Sequence, residues 1–471
     1  MTVRPDWIHG WDVREGAPRS LWRRLTPPQL LLGSFAALVL AGTIGLKVLP
    51  GLYTTAPLSW LDALFTATSA VCVTGLIVVD TATHFTGWGQ LYLLFLIQLG
   101  GLGMITFATL VILALGRRLS LRHETMARPG IEISERVSPR RLTYDIVRFT
   151  LSLEAAGALV LYLLWAPRFG WAGAVWPAVF HAISAFCNAG FSTFTDSVMG
   201  FRESPATLLA MAALIIAGGL GFLVLEEVKL HRRAARRGRA ARLSLHTRIV
   251  LLTTAVLLAG GSVLFAAFEW RGALGGMGLV DRVTNAFFMS TTARTAGFNA
   301  IDYTRAGDDA NFLTILLMSI GGSPGSAAGG LKTTTFALIG LLAWSRLRGQ
   351  EVVSFRGRSV PEETIQRAVG LFALAFGVVT AAIFLYSYTE LGEVAHGGKP
   401  FLDHMFEAVS AFNTVGLSLG VTPELSTAGR WLTIILMYVG RVGPLALASA
   451  LARRAGRGGS FRYSYEEVVI G

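Results

Sequence analysis

Four stretches of this chain align on one another without gaps, and this internal repetition constrains the fold more than any other feature. They read "FTATSAVCVTGL" (65–76), "FHAISAFCNAGF" (180–191), "FFMSTTARTAGF" (287–298) and "FEAVSAFNTVGL" (406–417). Each carries a glycine: Gly75, Gly190, Gly297 and Gly416. A phenylalanine stands ten residues earlier (Phe65, Phe180, Phe287, Phe406), and a hydroxyl stands six residues earlier (Ser69, Ser184, Thr291, Ser410). Each glycine lies between two long apolar segments. The preceding ones fall near 29–49, 145–167, 246–268 and 366–390, the following ones near 88–115, 205–228, 310–345 and 428–452. Blocks of this length suit the roughly 20 residues a helix needs to cross hydrocarbon. The stretch just before each glycine, about 15 residues, is too short to span and reads as a re-entrant half-helix. The unit is therefore span, pore helix, glycine loop, span.

Two spans per unit return the chain to the side it started from. The four copies are thus parallel, unlike the inverted repeats of many transporters. The expected fold is an all-α integral membrane protein: four parallel span–pore helix–span repeats around a central pore, with eight spans and four re-entrant pore helices. Composition agrees. Of the 471 residues 53% are hydrophobic and only 15% charged, with a mean hydropathy of +0.55, whereas soluble chains carry about 25% charged residues.

The net charge of +12 invites a nucleic-acid reading, and its distribution argues against one. Of the 41 Lys and Arg, five lie in the first 28 residues, eight in 117–148, eight in 229–248, five in 346–367 and four in 453–462. These are alternate connections between apolar blocks, and the asymmetry places them in the cytoplasm. The expected organisation is a cytoplasmic tail 1–28, repeat 1 at 29–115, a loop at 116–144, repeat 2 at 145–228, a basic loop at 229–245, repeat 3 at 246–345, a loop at 346–365, repeat 4 at 366–452 and a cytoplasmic tail 453–471. The chain reads as multi-pass in the cytoplasmic (inner) membrane, with the lipid bilayer as partner, no nucleic acid, and the glycine loops facing outward. Cys72 and Cys187 have no metal-ligand spacing and make no disulfide framework. The eight histidines form no H-E-x-x-H pair or Ser/His set, so an enzyme is not expected.

Non-helical backbone at membrane depth is tolerated where it is buried in protein or lines a water-filled cavity. Four such loops around one axis gather backbone carbonyls into rings that replace the water shell of K⁺. Glycine adopts the positive φ this needs without a Cβ penalty. The candidate filter is Val73, Thr74 and Gly75; Asn188, Ala189 and Gly190; Thr295, Ala296 and Gly297; and Thr414, Val415 and Gly416. The alternative, that the glycines only permit close helix packing, does not account for a short re-entrant helix before each one.

A second repeat follows 24 to 28 residues later: "LGGLGM" (99–104), "AGGLGF" (217–222), "IGGSPG" (320–325) and "VGRVGP" (439–444). In the fourth copy Arg441 fills the slot that glycine occupies in the others. An arginine in mid-span costs about 2.5–3.5 kcal/mol on insertion scales and usually faces a polar interior. If the slots converge on the axis, Arg441 points into the permeation path beneath the filter. The third copy, "GGSPGSAAGGLKTTTF" (321–336), should break its helix in mid-membrane. Gly321, Gly322, Ser323, Pro324, Gly325, Ser326, Gly329, Gly330 and Lys332 are thus read, with Arg441, as a gate; a static kink is the alternative.

Together "TSAVCVTGL", "TARTAGFN", "GGSPGSAAGGLKTTT" and "GRVGPLAL" resemble the Trk/Ktr/HKT superfamily of K⁺ transporters over nearly the whole chain. The absence of an extra helix pair before the first unit and the ending "YSYEEVVIG" look like the Ktr-type membrane subunit. The resemblance implies K⁺ uptake, with K⁺ the transported ion, no organic cofactor in this chain, a homodimer with one pore per protomer, and cytosolic nucleotide-binding regulatory subunits with a Rossmann-like fold. Gly75 stands where plant relatives that pass Na⁺ tend to carry serine. A Na⁺-preferring or Na⁺/K⁺ cotransporting member of the same superfamily is the alternative.

Three residues before the ring glycines stand Cys72, Cys187, Arg294 and Asn413. The cysteines read as small apolar fillers. Arg294 reads as a tie behind the filter to carboxylates or carbonyls, since a buried charge needs partners. Lys332 either positions the hinge or snorkels to the cytosol. Asp302, Asp308 and Asp309 either concentrate cations at the mouth or form a plain solvated loop. Glu154 has no assigned role.

Overall fold

The computed structural model describes residues 27–123, 139–238, 242–390 and 400–443, and their side chains except at 27, 107–142 and 400. The expected tails up to residue 26 and from 453, the 124–138 part of the first connection and the "YSYEEVVIG" ending lie outside the described residues.

Repeat 1 runs through α1 (Pro27–Val48), the pore helix α2 (Trp60–Cys72), a single turn α3 (Thr81–His84) and α4 (Gly87–His123). In repeat 2 the span and pore helix are one element, α5 (Pro139–Cys187), broken at Gly170 with φ 75°. It is followed by α6 (Pro205–Leu220) and α7 (Phe222–Arg236). Repeat 3 holds α8 (Leu245–Glu269), the pore helix α9 (Leu279–Thr292), α10 (Asp308–Met318) and α11 (Thr333–Leu347); repeat 4 holds α12 (Glu362–Thr389), the pore helix α13 (Pro400–Phe412) and α14 (Thr427–Val442). Five helices, α1, α4, α5, α8 and α12, are long and apolar enough to cross a membrane singly. Taken together as one broken span, the bent pair α6–α7 counts as a sixth. The interrupted α10–α11 and the described part of α14 occupy the remaining two positions. Among the described residues the only strands are Ser354–Phe355 and Arg358–Ser359, a small hairpin between α11 and α12.

The second span of each repeat packs on the first span or pore helix of the next: α4 on α5, α6 on α9, α10 on α13, and α14 back on α2. The bundle therefore closes on itself around a central pore. Two polar contacts reinforce the closure: Arg430 pairs with Asp62 at 2.6 Å, and the Tyr438 hydroxyl donates to the Leu32 carbonyl at 2.6 Å. The first spans face outward. Phe376 and Phe384 on α12 are 65% and 72% exposed, which suits a face bathed by lipid rather than water.

Each first span also ends in a charged tie to its own repeat. Lys47 donates to the Leu58 carbonyl (2.6 Å) and Arg168 to the Gly200 carbonyl (2.8 Å), while Glu269 accepts from the Gly307 amide (2.7 Å) and Glu390 from the Ser426 amide (3.0 Å). These satisfy backbone groups at helix ends that would otherwise lack partners.

One span departs from the sequence reading. A continuous helix was expected over 205–228, but α6 and α7 meet at 101°. The break lies at Gly221, whose φ of 86° a side chain would resist. The bend brings Gly221 against the Pro324 carbonyl, 3.0 Å from where a Cβ would stand.

The first glycine of the second repeated motif has a packing role. A Cβ on Gly100, Gly218 or Gly440 would strike the carbonyl oxygen of Val71, Phe186 or Phe412. Each of those carbonyls lies four residues before its ring glycine. These glycines let the second span press on the end of its own pore helix, as small residues do in membranes. Gly440→Ala should therefore cost at least about 1–3 kcal/mol, the usual range for overpacking. Thermal unfolding in detergent should show a clear fall in midpoint, whereas Gly340→Ala, on an open face, should leave it unchanged.

Candidate ion pore

Each pore helix delivers a short loop to the axis. Two residues before the ring glycine, Val73, Asn188, Thr295 and Thr414 all have positive φ, between 51° and 65°. The glycines have φ of 93° (Gly75), 71° (Gly190), 75° (Gly297) and 93° (Gly416), and the residue between carries none. Handedness thus alternates along all four loops. In an extended strand successive carbonyls point to opposite sides; alternation of handedness turns them to one side. Four unrelated tripeptides share this backbone, so the loop and not the side chains is what repeats.

The loops meet one another in chain order. A Cβ on Gly75 would lie 2.5 Å from the Ala189 oxygen, and one on Gly190 would lie 3.1 Å from the Ala296 oxygen. One on Gly297 would strike the Val415 oxygen, and one on Gly416 the Thr74 oxygen. Repeat 1 thus abuts repeat 2, then 3, then 4, then 1 again. The glycines close a ring with no room for side chains.

The hydroxyl before each loop holds it. Ser69 Oγ accepts from the Gly75 amide at 3.1 Å, Ser410 Oγ from the Gly416 amide at 3.1 Å, and Ser184 Oγ donates to the Phe191 carbonyl at 2.8 Å. Repeat 3 differs from the gapless alignment. Thr291 turns away and bonds its own helix at Phe287. Thr292 holds the loop, bonding both the amide and carbonyl of Phe298 at 2.8 Å. The buried phenylalanine is likewise Phe288, while Phe287 is only half-buried. The amide before the ring glycine bonds Ser69, Ser184 or Ser410 in the other repeats and Thr292 here. The third pore helix is therefore offset by one residue, and its loop is one residue shorter.

On the mouth side a cavity of about 280 Å³ opens directly on all four ring glycines. Asp80, Asp196 and Asp302 line it. Of the acidic residues expected there, only Asp302 reaches the cavity, and it pairs with Arg305 at 3.3 Å. Asp308 and Asp309 instead occupy the first turn of α10, where negative charge favours the helix dipole.

On the opposite side lies the interrupted segment 319–332. It is bonded to its surroundings rather than hanging free. The Ser323 amide donates to Gly219 O (2.9 Å), Ala327 to Gly218 O (3.2 Å) and Gly330 to Gly440 O (3.2 Å), and the Phe222 amide donates to Gly325 O (3.2 Å). Asn413 Oδ1 accepts from the Leu331 amide at 3.3 Å. Arg294, expected to bind carboxylates or carbonyls, donates instead to the Thr333 hydroxyl at 3.3 Å, where α11 begins. Lys332 curls back, its Nζ 2.7 Å from Ala328 O and 3.4 Å from Gly329 O. Arg441 is 1% exposed. Its Nη1 bonds the Ala327 carbonyl and its Nη2 the Gly100 carbonyl at 3.0 Å. One cation from repeat 4 thus ties the segment of repeat 3 to the α4 backbone of repeat 1.

The positions three before the ring glycines now make sense as a set. Arg294 and Asn413 hold the interrupted segment, while Cys187 lies against Gly101, the glycine in the slot equivalent to Arg441. Cys72 and Cys187 are free and buried. Glu154 accepts both oxygens' bonds from Gln98 Nε2, at 3.0 and 3.1 Å, tying α5 to α4.

A closed bundle of four parallel span–pore helix–span repeats, with a ring of loops across its axis, defines a membrane transporter of the pore-loop kind, and not an enzyme. Residues 37–458 match the TrkH family, described as cation transport protein, and the chain belongs to that family. It is 39% identical over 453 residues to the Ktr system potassium uptake protein B of Bacillus subtilis (strain 168), covering 96% of this chain and 98% of that one. It is 40% identical over 428 residues to the Ktr system potassium uptake protein B of Vibrio alginolyticus, covering 90% and 91%. It is 36% identical over 452 residues to the potassium/sodium uptake protein NtpJ of Enterococcus hirae, covering 95% and 98%. Among solved structures, the potassium transporter TrkH of Vibrio parahaemolyticus superposes with a TM-score of 0.71 at 19% identity, over 90% of this chain and 84% of that one. That likeness concerns the fold.

Proposed function

We propose that this chain takes up K⁺ across the cytoplasmic membrane through the four-loop ring, and that residues 73–75, 188–190, 295–297 and 414–416 form its selectivity filter. The observation that carries the reading is the ring itself: four loops of unlike sequence share one alternating backbone and touch in cyclic order. Backbone oxygens, not side chains, are then the ligands, and carbonyl rings of this kind replace the hydration shell of K⁺. Relatives near 40% identity named as potassium uptake proteins support the choice of ion. The potassium/sodium uptake relative keeps Na⁺ as a second transported ion to test. In this reading the mouth faces outward and both termini lie in the cytoplasm, which the charge asymmetry supports. From the Ktr resemblance we add a homodimer with one pore per protomer and a cytosolic nucleotide-binding regulatory partner. Uptake of ⁸⁶Rb⁺ into liposomes holding the purified chain, competed by K⁺ but only weakly by Na⁺, is the expected result; liposomes no more permeable than empty ones would refute the reading.

The interrupted segment, with Lys332 and Arg441, is the gate in this proposal. It lies beneath the ring and is held by hydrogen bonds from repeats 2 and 4. Deleting Ser323 to Ala328 removes Ala327, the partner of Arg441, and the Ser323 tie to Gly219. Basal Rb⁺ flux per folded protein should rise severalfold. A deletion protein that inserts and conducts no faster than wild type points to a static kink.

A further inference from the structure

The residue that follows the buried pore-helix phenylalanine is Thr66 in repeat 1, His181 in repeat 2, Met289 in repeat 3 after the one-residue offset, and Glu407 in repeat 4. Two of these four are ionisable, and both are fully buried at 0% exposure. A packing role does not call for either, since Met289 serves the same position in repeat 3. A buried carboxyl is also an expensive filler.

Both side chains reach the same place by different chemistry. His181 Nδ1 lies 2.8 Å from the Pro177 carbonyl. A carbonyl only accepts, so that nitrogen carries a proton and donates. Its Nε2 lies 2.8 Å from the Ser192 hydroxyl. Glu407 Oε1 accepts from the Thr422 hydroxyl at 2.5 Å, and Thr422 Oγ1 lies 3.1 Å from Ser418 Oγ. The Ser418 side chain also hydrogen-bonds Glu407, so the carboxyl holds both hydroxyls of this segment. Ser192 and Ser418 each stand two residues after a ring glycine, Gly190 and Gly416. Each ionisable residue thus grips, from behind, the strand leaving its own loop toward the mouth.

The two grips fall on opposite sides of the ring, because repeats 2 and 4 are not neighbours in the cyclic order of contacts. The grip in repeat 2 also reaches the other loops. Thr195 donates to Asp80 of repeat 1 at 2.9 Å, and Ser197 Oγ accepts from the Asn299 amide of repeat 3 at 3.1 Å.

The geometry points to Glu407 and His181 as positioning residues that set the radius of the ring at two opposite loops, and so the K⁺ over Na⁺ preference of uptake. The inference rests on the ring being the K⁺ filter. A ring whose ligands are backbone oxygens has no side chain with which to tune its width, so tethers behind the loops must do it.

The test is Na⁺ competition against ⁸⁶Rb⁺ uptake in proteoliposomes, together with the half-saturating Rb⁺ concentration and the thermal midpoint of the same sample. Glu407→Ala and His181→Phe should each lower the Rb⁺/Na⁺ discrimination ratio at least fivefold. Glu407→Gln keeps an oxygen to accept from Thr422 and should stay within twofold of wild type. Thr422→Val cuts the same tether from its other end, and it stands in if Glu407→Ala fails to fold. Adding Glu407→Gln to Thr422→Val should then change the ratio no further. Folded variants of both sites that keep the wild-type ratio, whatever happens to their midpoints, overturn the inference. Wild-type protein that takes up no Rb⁺ overturns both this inference and the K⁺ reading beneath it.

Discussion

Arg441→Ala should raise Rb⁺ flux at saturating ion by about tenfold or more per folded protein. Two effects act in the same direction. A cation held 4 Å from a passing ion at an effective dielectric of about 20 opposes it by about 4 kcal/mol. Water and counter-ions reduce that figure, yet about 1.4 kcal/mol at the barrier already gives a factor of 10. The substitution also frees the Ala327 and Gly100 carbonyls, which the guanidinium bridges, and so unpins the segment beneath the ring. Arg441→Lys separates the two effects. Lysine keeps the charge but presents one point donor where arginine presents a fork. Flux should then rise modestly if the bridge dominates and stay near wild type if the charge does. A flux for Arg441→Ala that falls or stays level, alongside a lower thermal midpoint, would mean that the arginine only ties helices together.

Gly75→Ser should collapse ion discrimination by at least tenfold. Its φ of 93° is outside the region that side chains adopt readily, at a cost of about 1–2 kcal/mol. The added Cβ would lie 2.5 Å from the Ala189 oxygen and 3.0 Å from the Gly190 Cα. Both atoms belong to the neighbouring loop, so one substitution displaces two of the four loops. A carbonyl ring pushed off its geometry loses the match to a dehydrated K⁺. The expected measurement is Na⁺ competition against Rb⁺ uptake, and unchanged competition would sink the assignment of the ring as filter.

Much of this architecture was legible in the sequence, for a physical reason. A loop that must turn its carbonyls inward needs positive φ at a fixed place, and glycine marks that place four times. Long apolar blocks on either side give the spans directly. Arg441 announced itself because a charge in mid-span is costly. What the sequence hid was register. In repeat 3 the doublets Phe287-Phe288 and Thr291-Thr292 let the pore helix slide by one residue without disturbing the aligned pattern. The gapless alignment therefore assigned the wrong member of each pair. The break at Gly221 was hidden for a related reason: "GGLG" reads as close packing in repeat 1 and as a bend in repeat 2, depending on the segment that lies against it. His181 and Glu407 were within the aligned stretches, but their partners Ser192 and Thr422 lie 11 and 15 residues away, beyond the end of those stretches. Arg294 found a hydroxyl where a carboxylate or carbonyl was expected, because the interrupted segment brings Thr333 to it.

The central claim, that four backbone loops bind the transported ion, is tested most directly by locating that ion. Crystals of the protein grown in Tl⁺, a K⁺ surrogate, should show anomalous scattering on the axis, encircled by the carbonyls of residues 73–75, 188–190, 295–297 and 414–416. The peak should vanish on exchange into Na⁺. A Tl⁺ peak held by Asp80, Asp196 or Asp302 at the mouth, with none at the ring, would contradict the account.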